Sequence, residues 1–109
     1  MQEGLWTVQF QGPNGWGGGA VVLTKGQALG GDAGFTYIGT YEVTGDTIRG
    51  RIAVKNYDPS VQSVLGVRGD FELLLEGKVQ GDSITGMGTM ANSPNARIAM
   101  RLTKRENLR

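Results

Sequence analysis

Val43-Thr-Gly-Asp-Thr-Ile-Arg-Gly50 is echoed 36 residues later by Val79-Gln-Gly-Asp-Ser-Ile-Thr-Gly86. Each copy sets one apolar residue before a Gly-Asp pair, another after it, and a glycine two places on. Glycine reaches positive φ without a Cβ penalty, so Gly-Asp between alternating residues is a chain reversal between antiparallel strands. Two copies imply repeated hairpins, and hence a meander that either stays open or closes on itself. If Gly45-Asp46 fill the turn, Thr44 faces Thr47, Val43 faces Ile48, Glu42 faces Arg49 and Tyr41 lies over Gly50. Apolar then meets apolar, acid meets base, and an aromatic ring covers a bare glycine.

The remaining segments fit the same plan. Leu5–Gln11 alternates, with Trp6, Val8 and Phe10 on one face. Gly12-Pro-Asn-Gly15 turns into a strand, Gly17–Thr24, whose Ala20-Val-Val-Leu23 run is apolar on both faces. Lys25-Gly26 reverses into Gln27–Gly30, and Gly30-Gly31-Asp32 turns into Phe35–Val43. Arg49–Tyr57 ends at Asp58-Pro59, since proline cannot join a ladder. Ser60–Gly66, with Val61, Val64 and Leu65 at helical spacing, is expected to form a short helix plugging one end. Gly69–Gln80 and Ser83–Met90 follow, Ser93-Pro-Asn95 is the last turn, and Ala96–Lys104 is the final strand. Eight strands in sequence order predict an all-β, eight-stranded antiparallel up-and-down (lipocalin/calycin-like) barrel, with at most one short helix. Closure, with Leu5–Gln11 paired to Ala96–Lys104, removes the exposed edges.

Composition narrows the chemistry. The 109 residues suit one domain, and 19 glycines without a collagen period fit turns and strand bends. Eleven Lys+Arg against ten Asp+Glu leave a formal charge of +1, so no overall field favours nucleic acid. With neither cysteine nor histidine, disulfides, thiolate chemistry, the usual nucleophilic triads and most zinc sites are excluded. No cofactor and no metal are expected. The first residues, Met-Gln-Glu-Gly-Leu-Trp, lack a basic segment followed by an apolar run, and no stretch approaches a membrane span, so a cytoplasmic address is expected.

Several motifs have plainer explanations. Gly15-Trp-Gly-Gly-Gly19 lacks the lysine and helix of a phosphate loop. Gly86-Met-Gly88-Thr-Met-Ala91 lies within a strand, and Arg68-Gly-Asp70 reads as a turn glycine between two charges. Asp32, Asp46, Asp70 and Asp82 sit near strand ends, where aspartates usually bond their own backbone. The basic side chains Arg49, Arg51 and Lys55 face outward but are matched by Glu42, Glu72 and Glu76. Ile38 and Ala53 pair on the outer face and Leu74 points outward on the next strand, an apolar streak of the kind that marks a protein contact.

Gly4-Leu-Trp6 resembles the Gly-x-Trp start of lipocalin-like barrels, in which a basic residue of the last strand, here Arg97 or Arg101, lies across the tryptophan. Gly4–Phe10, the Gly17–Leu23 run and Leu29-Gly-Gly-Asp-Ala-Gly-Phe-Thr-Tyr-Ile-Gly-Thr-Tyr41 together resemble the GrlR family, negative regulators of type III secretion. Asn56-Tyr57, Ser63-Val64-Leu65 and Asp70-Phe71-Glu-Leu73 extend the similarity over nearly the whole chain. The resemblance implies a dimeric, non-enzymatic regulator that sequesters a transcriptional activator without contacting DNA. The family's acidic partner-binding loop corresponds here to Thr44-Gly-Asp-Thr47, with Asp46 and nearby Glu42. Glu42, Asp46, Ile38, Ala53 and Leu74 are the expected partner-binding residues.

Two rivals stand beside this. A carrier would hold an apolar molecule inside the barrel, against Trp6, Phe10, Tyr37, Tyr41 and Phe71. Gly39, Gly50, Gly77, Gly86 and Gly88 would hollow the interior, and an apolar-lined cavity of at least about 300 Å³ would favour this reading. An enzyme would need two or more acids converging in one pocket.

Overall fold

The computed structural model describes residues 2–13, 15–63 and 69–108. They form β1 (Gly4–Gly12), β2 (Gly15–Thr24), β3 (Gln27–Gly31), β4 (Phe35–Thr44), β5 (Thr47–Asn56), β6 (Phe71–Gln80), β7 (Ser83–Met90) and β8 (Ser93–Glu106). Each strand pairs with the next and β8 returns to β1, giving a closed antiparallel barrel. The architecture is all-β, an eight-stranded up-and-down barrel of the lipocalin-like kind, with no helix among the described residues.

The repeated turns govern the register. Thr44 pairs with Thr47, Val43 with Ile48, Glu42 with Arg49 and Tyr41 with Gly50. The second copy behaves alike, with Gln80 opposite Ser83 and Val79 opposite Ile84. Gly45 and Gly81, first in their turns, have φ of 63° and 61°, as a hairpin with positive φ at that position demands. The two aspartates share a further role: the carbonyl of Asp46 accepts the Val79 amide at 2.7 Å, and that of Asp82 accepts the Lys104 amide at 2.8 Å. Each hairpin is thereby tied to the strand beyond its own pair.

Closure runs from Leu5 opposite Glu106 to Gln11 opposite Ala99, with a register shift between Leu5 and Trp6. Alternation then sends one side chain in two to the interior. Trp6, Val21, Leu23, Phe35, Ile84 and Ile98 are all buried there.

Two expectations are corrected. Ser60–Ser63 is not helical, and residues 64–66 of the expected helix lie outside the described residues. The turn comes at Ala91-Asn92, and β8 already begins at Ser93. Met90 pairs with Ser93 but Thr89 with Arg97, so the extra residues bulge from the ladder.

Candidate ligand cavity

The barrel's two ends are finished differently. At the end carrying the Lys25-Gly26, Gly45-Asp46 and Gly81-Asp82 hairpins, Trp6 is fully buried. Its indole Nε1 donates to the Gln2 carbonyl at 2.7 Å, and the Lys104 ammonium lies 5.9 Å from the ring centre. The cation across the tryptophan is therefore Lys104, not Arg97 or Arg101. Lys104 is the register partner of Trp6, whereas Arg101 faces Gln9 and Arg97 faces Thr89.

At the other end, residues 57–63, which follow β5, fold over the barrel. The Asn56 amide nitrogen donates to the carbonyls of Gly34 and Asp58, each at 3.0 Å, and of Val61 at 3.3 Å. Asp58 accepts from the Ser60 hydroxyl at 2.7 Å and the Ser60 amide at 3.0 Å, fixing the turn. Those bonds, the hydroxyl's first, hold the Asp58 carboxyl below its ordinary pKa. Val61 packs onto the core, and Ser63 is buried. Residues 60–63 thus form turn and irregular chain where the sequence suggested the start of a helical plug.

Between these ends lies a cavity of about 350 Å³. Its walls are almost wholly aliphatic and aromatic. Phe10, Tyr37, Tyr41 and Phe71 border it, together with Val54, Ile48 and Leu75, while Trp6 does not. Trp6 fills the barrel's hairpin end instead. Phe10 meets the Tyr37 ring edge-on, with centroids 6.5 Å apart, and Phe35 meets Phe71 at 6.2 Å.

The glycines contribute less evenly than their scatter suggests. Gly50, Gly77 and Gly86 line the cavity, but Gly39 and Gly88 do not. At Gly39 a Cβ would fall inside the van der Waals limit of the Arg51 carbonyl oxygen, and at Gly86 of the Glu76 oxygen. These glycines let neighbouring strands approach at the barrel's bends.

Asp32 organises the polar corner of the cavity. Its Oδ1 accepts the amides of Gly34 and Phe35, each at 2.9 Å, and its Oδ2 accepts the Tyr37 hydroxyl. Tyr57 donates its hydroxyl to the Asp32 carbonyl. Burial, then the bond to Asp32 and its negative charge, push the Tyr37 phenol far above its ordinary pKa. Burial also raises Tyr41, partly opposed by a backbone hydrogen bond from Gly26. Bonding its own turn is the ordinary behaviour of such an aspartate; its link to Tyr37, five residues on, has no sequence signal beyond that proximity.

The acids do not converge. Asp32 and Glu76 both border the cavity, but Glu76 turns outward to Arg49 at 2.9 Å. Among the described residues no three acids gather in a metal-binding arrangement.

The expected partner-binding residues lie apart. Asp46 is paired with Lys78 at 3.1 Å, a bond that holds its carboxyl below the usual range. Arg49 binds Glu76, leaving Glu42, its register partner, exposed. Ile38 does face Ala53, but the ion pair of Arg51 and Glu72 at 3.1 Å falls between that pair and Leu74. The apolar streak runs the other way. Leu5, Val22, Leu29, Ile38 and Ala53 stand opposite one another across β1 to β5. Leu5, Leu29 and Ile38 are 38%, 44% and 49% exposed. Val22 explains why Ala20–Leu23 looked apolar on both faces.

The closed eight-stranded barrel around this apolar cavity is of the lipocalin-like kind. No protein-family model matches the chain, and no curated protein matches it. Among the described residues no helix is long and apolar enough to cross a membrane.

Proposed function

We propose that this chain is a non-enzymatic binding protein that holds a small, largely apolar molecule inside its barrel. The observation that carries the reading is the cavity of about 350 Å³, above the roughly 300 Å³ from which ligand pockets begin. Well-packed interiors keep few voids larger than a water molecule, so a space of this size is a departure from ordinary packing. The test is titration with a neutral, environment-sensitive fluorophore. Wild-type protein should bind it with one site per chain, and Leu75→Trp, which fills the space, should not, while keeping its β-sheet circular dichroism. A wild-type protein that leaves the fluorophore in water would remove the reading.

A second reading has its own observation. The outer row from Leu5 to Ala53 supports a protein contact, either self-association or capture of a transcriptional activator, as the GrlR resemblance implies. In that reading the chain is a cytoplasmic negative regulator of type III secretion or related gene expression. Sedimentation of the purified chain, and affinity capture from its native cells, should lose their partner in the double variant Leu29→Arg/Ile38→Arg at unchanged melting temperature. Identical sizing and capture for both proteins would reject it.

A further inference from the structure

We propose that the cavity selects an uncharged molecule with an apolar body and a single hydrogen-bond donor, an alcohol or phenol, and rejects the matching carboxylate. This rests on reading the cavity as a ligand site and adds the chemistry of the ligand's polar end.

A tyrosine hydroxyl has one proton and two lone pairs, and an ionised aspartate has only lone pairs. Tyr37 commits its proton to Asp32 Oδ2, and Asp32 Oδ1 is occupied by the amides of Gly34 and Phe35. The pair therefore presents acceptor capacity to the cavity and no donor. Tyr37 is held un-ionised by its burial, so that acceptor is a neutral oxygen beside a carboxylate.

Trp16 also borders the cavity and carries an indole N–H donor, but it is largely exposed, and the donor–acceptor balance is that of the Asp32–Tyr37 corner. Tyr41, which also borders the cavity, is influenced by Gly26 and Glu3 and not by Asp32. Glu76 faces Arg49 on the outer wall, and Gln62 and Ser63 are already engaged. No lysine or arginine is among the described residues that line the cavity. A ligand carboxylate would thus lie in an apolar chamber near the Asp32 charge, with no cation to pair it. An ether or ketone oxygen would meet Tyr37 lone pair against lone pair. A hydroxyl donates to Tyr37 and satisfies both groups.

Size sets the rest of the molecule. At about 30 Å³ per water-sized group, the space holds roughly a dozen, which suits a medium-chain alcohol.

The experiment is competition against a bound neutral fluorophore at pH 8, using 1-decanol, the isosteric nonyl methyl ether, and decanoate. Decanol should compete at least tenfold better than decanoate and several-fold better than the ether. In Tyr37→Phe the advantage of decanol over the ether should vanish while the ether competes as before, which shows the cavity intact. Ether equal to decanol in the wild-type protein, or decanoate equal to or better than decanol, would overturn the proposal even where Tyr37→Phe fails to fold. If the fluorophore itself does not bind, the cavity reading fails first and this proposal with it. Competition by decanol and ether alike leaves that reading standing and removes only this one.

Discussion

A Cβ placed on Gly34 would stand 2.5 Å from Cγ1 of Val61, so the 57–63 segment seats Val61 directly on a bare backbone. Valine has little rotameric freedom with which to retreat, because its branch begins at Cβ. Gly34→Ala should therefore lift the 57–63 segment rather than be absorbed locally. We expect a loss of roughly 1–3 kcal/mol, the usual range for overpacking a tight contact. Urea denaturation checks the energy, and hydrogen exchange at the Tyr57 and Val61 amides, bonded to Gly34 and Asp58 at 3.0 Å each, checks the location. Unchanged exchange at those amides would mean that Val61 is not the anchor.

Asn56 is the second fastening of that segment. Its side-chain amide serves the carbonyls of Gly34, Asp58 and Val61, while its backbone amide donates to Asp70 Oδ1 at 2.9 Å. Asn56→Ala removes the only side chain that bonds all three. The Gly34 and Asp58 carbonyls keep the Tyr57 and Val61 amides as donors, so the loss is that of the side-chain bonds themselves, about 0.5–1.5 kcal/mol each, read as a drop in urea midpoint. Asn56→Asp should be worse near neutral pH, because a carboxylate sets acceptor against acceptor. A midpoint for either variant equal to that of wild type would show that water replaces the amide without cost.

Tyr37 makes stability depend on alkaline pH. Its folded pKa lies above the unfolded value near 10, so the folded state favours the protonated phenol. The sign follows from linkage: the contribution is complete below the unfolded pKa and is lost as pH rises above it, since the unfolded chain releases a proton that the native chain retains. The urea midpoint of the wild-type protein should fall steeply from about pH 10 upward, more steeply than that of Tyr37→Phe. In a spectrophotometric titration of the native protein, one of its three tyrosines should ionise only on unfolding. Parallel curves for wild type and Tyr37→Phe would contradict the burial of this hydroxyl.

The barrel was legible because its signals are local. Gly-Asp turns specify pairing, and the pairing of Tyr41 with Gly50 or Val43 with Ile48 follows by counting. Period-2 alternation then assigns the interior. The errors fall where tertiary contacts decide. Val61 has helical spacing to its neighbours, yet the Asn56 bond and the Gly34 contact hold it in irregular chain. Lys104 reaches Trp6 through the regular register of β1 against β8, strands from opposite ends of the chain whose pairing no local turn announces. The cavity's aromatic walls could be read from alternation, but its polar corner could not. That corner needs Asp32 and Tyr37 brought together by the bend between β3 and β4.

Gly39 and Gly50 look equivalent in the sequence, both being inward glycines on paired strands, but the structure separates them. A Cβ at Gly50 would meet the Thr40 carbonyl oxygen at 3.0 Å and the Tyr41 Cβ at 3.6 Å, a fit that a small shift accommodates. At Gly39 it would penetrate the Arg51 carbonyl, where the ladder itself must move. Gly50→Ala should thus change stability by less than about 1 kcal/mol, and Gly50→Val should cost roughly 1–3 kcal/mol through overpacking. Gly39→Ala should cost more than either. Thermal melts of the three variants test the ranking, and a Gly39→Ala protein as stable as Gly50→Ala would refute the close approach of β4 and β5.

The seam between β1 and β8 has to withstand the same reasoning. Trp6 is wholly enclosed, and Lys104, its partner in the ladder, covers the ring at 5.9 Å. Arg105 adds a bond from Nε to Thr7 Oγ1 at 2.9 Å, but this lies in solvent and counts for little. Trp6→Ala should cost about 3–5 kcal/mol, the range for emptying an aromatic's place in a core. Lys104→Met keeps the covering stem and removes only the charge, so it should cost about 0.5–2 kcal/mol. Removing residues 93–109 goes further, exposing the unpaired edges of β1 and β7 together, and should convert a monodisperse protein into one that aggregates. Light scattering of the truncated chain measures this directly. A truncated chain that stays monodisperse and keeps its thermal transition would show that closure through β8 is not what holds the barrel together.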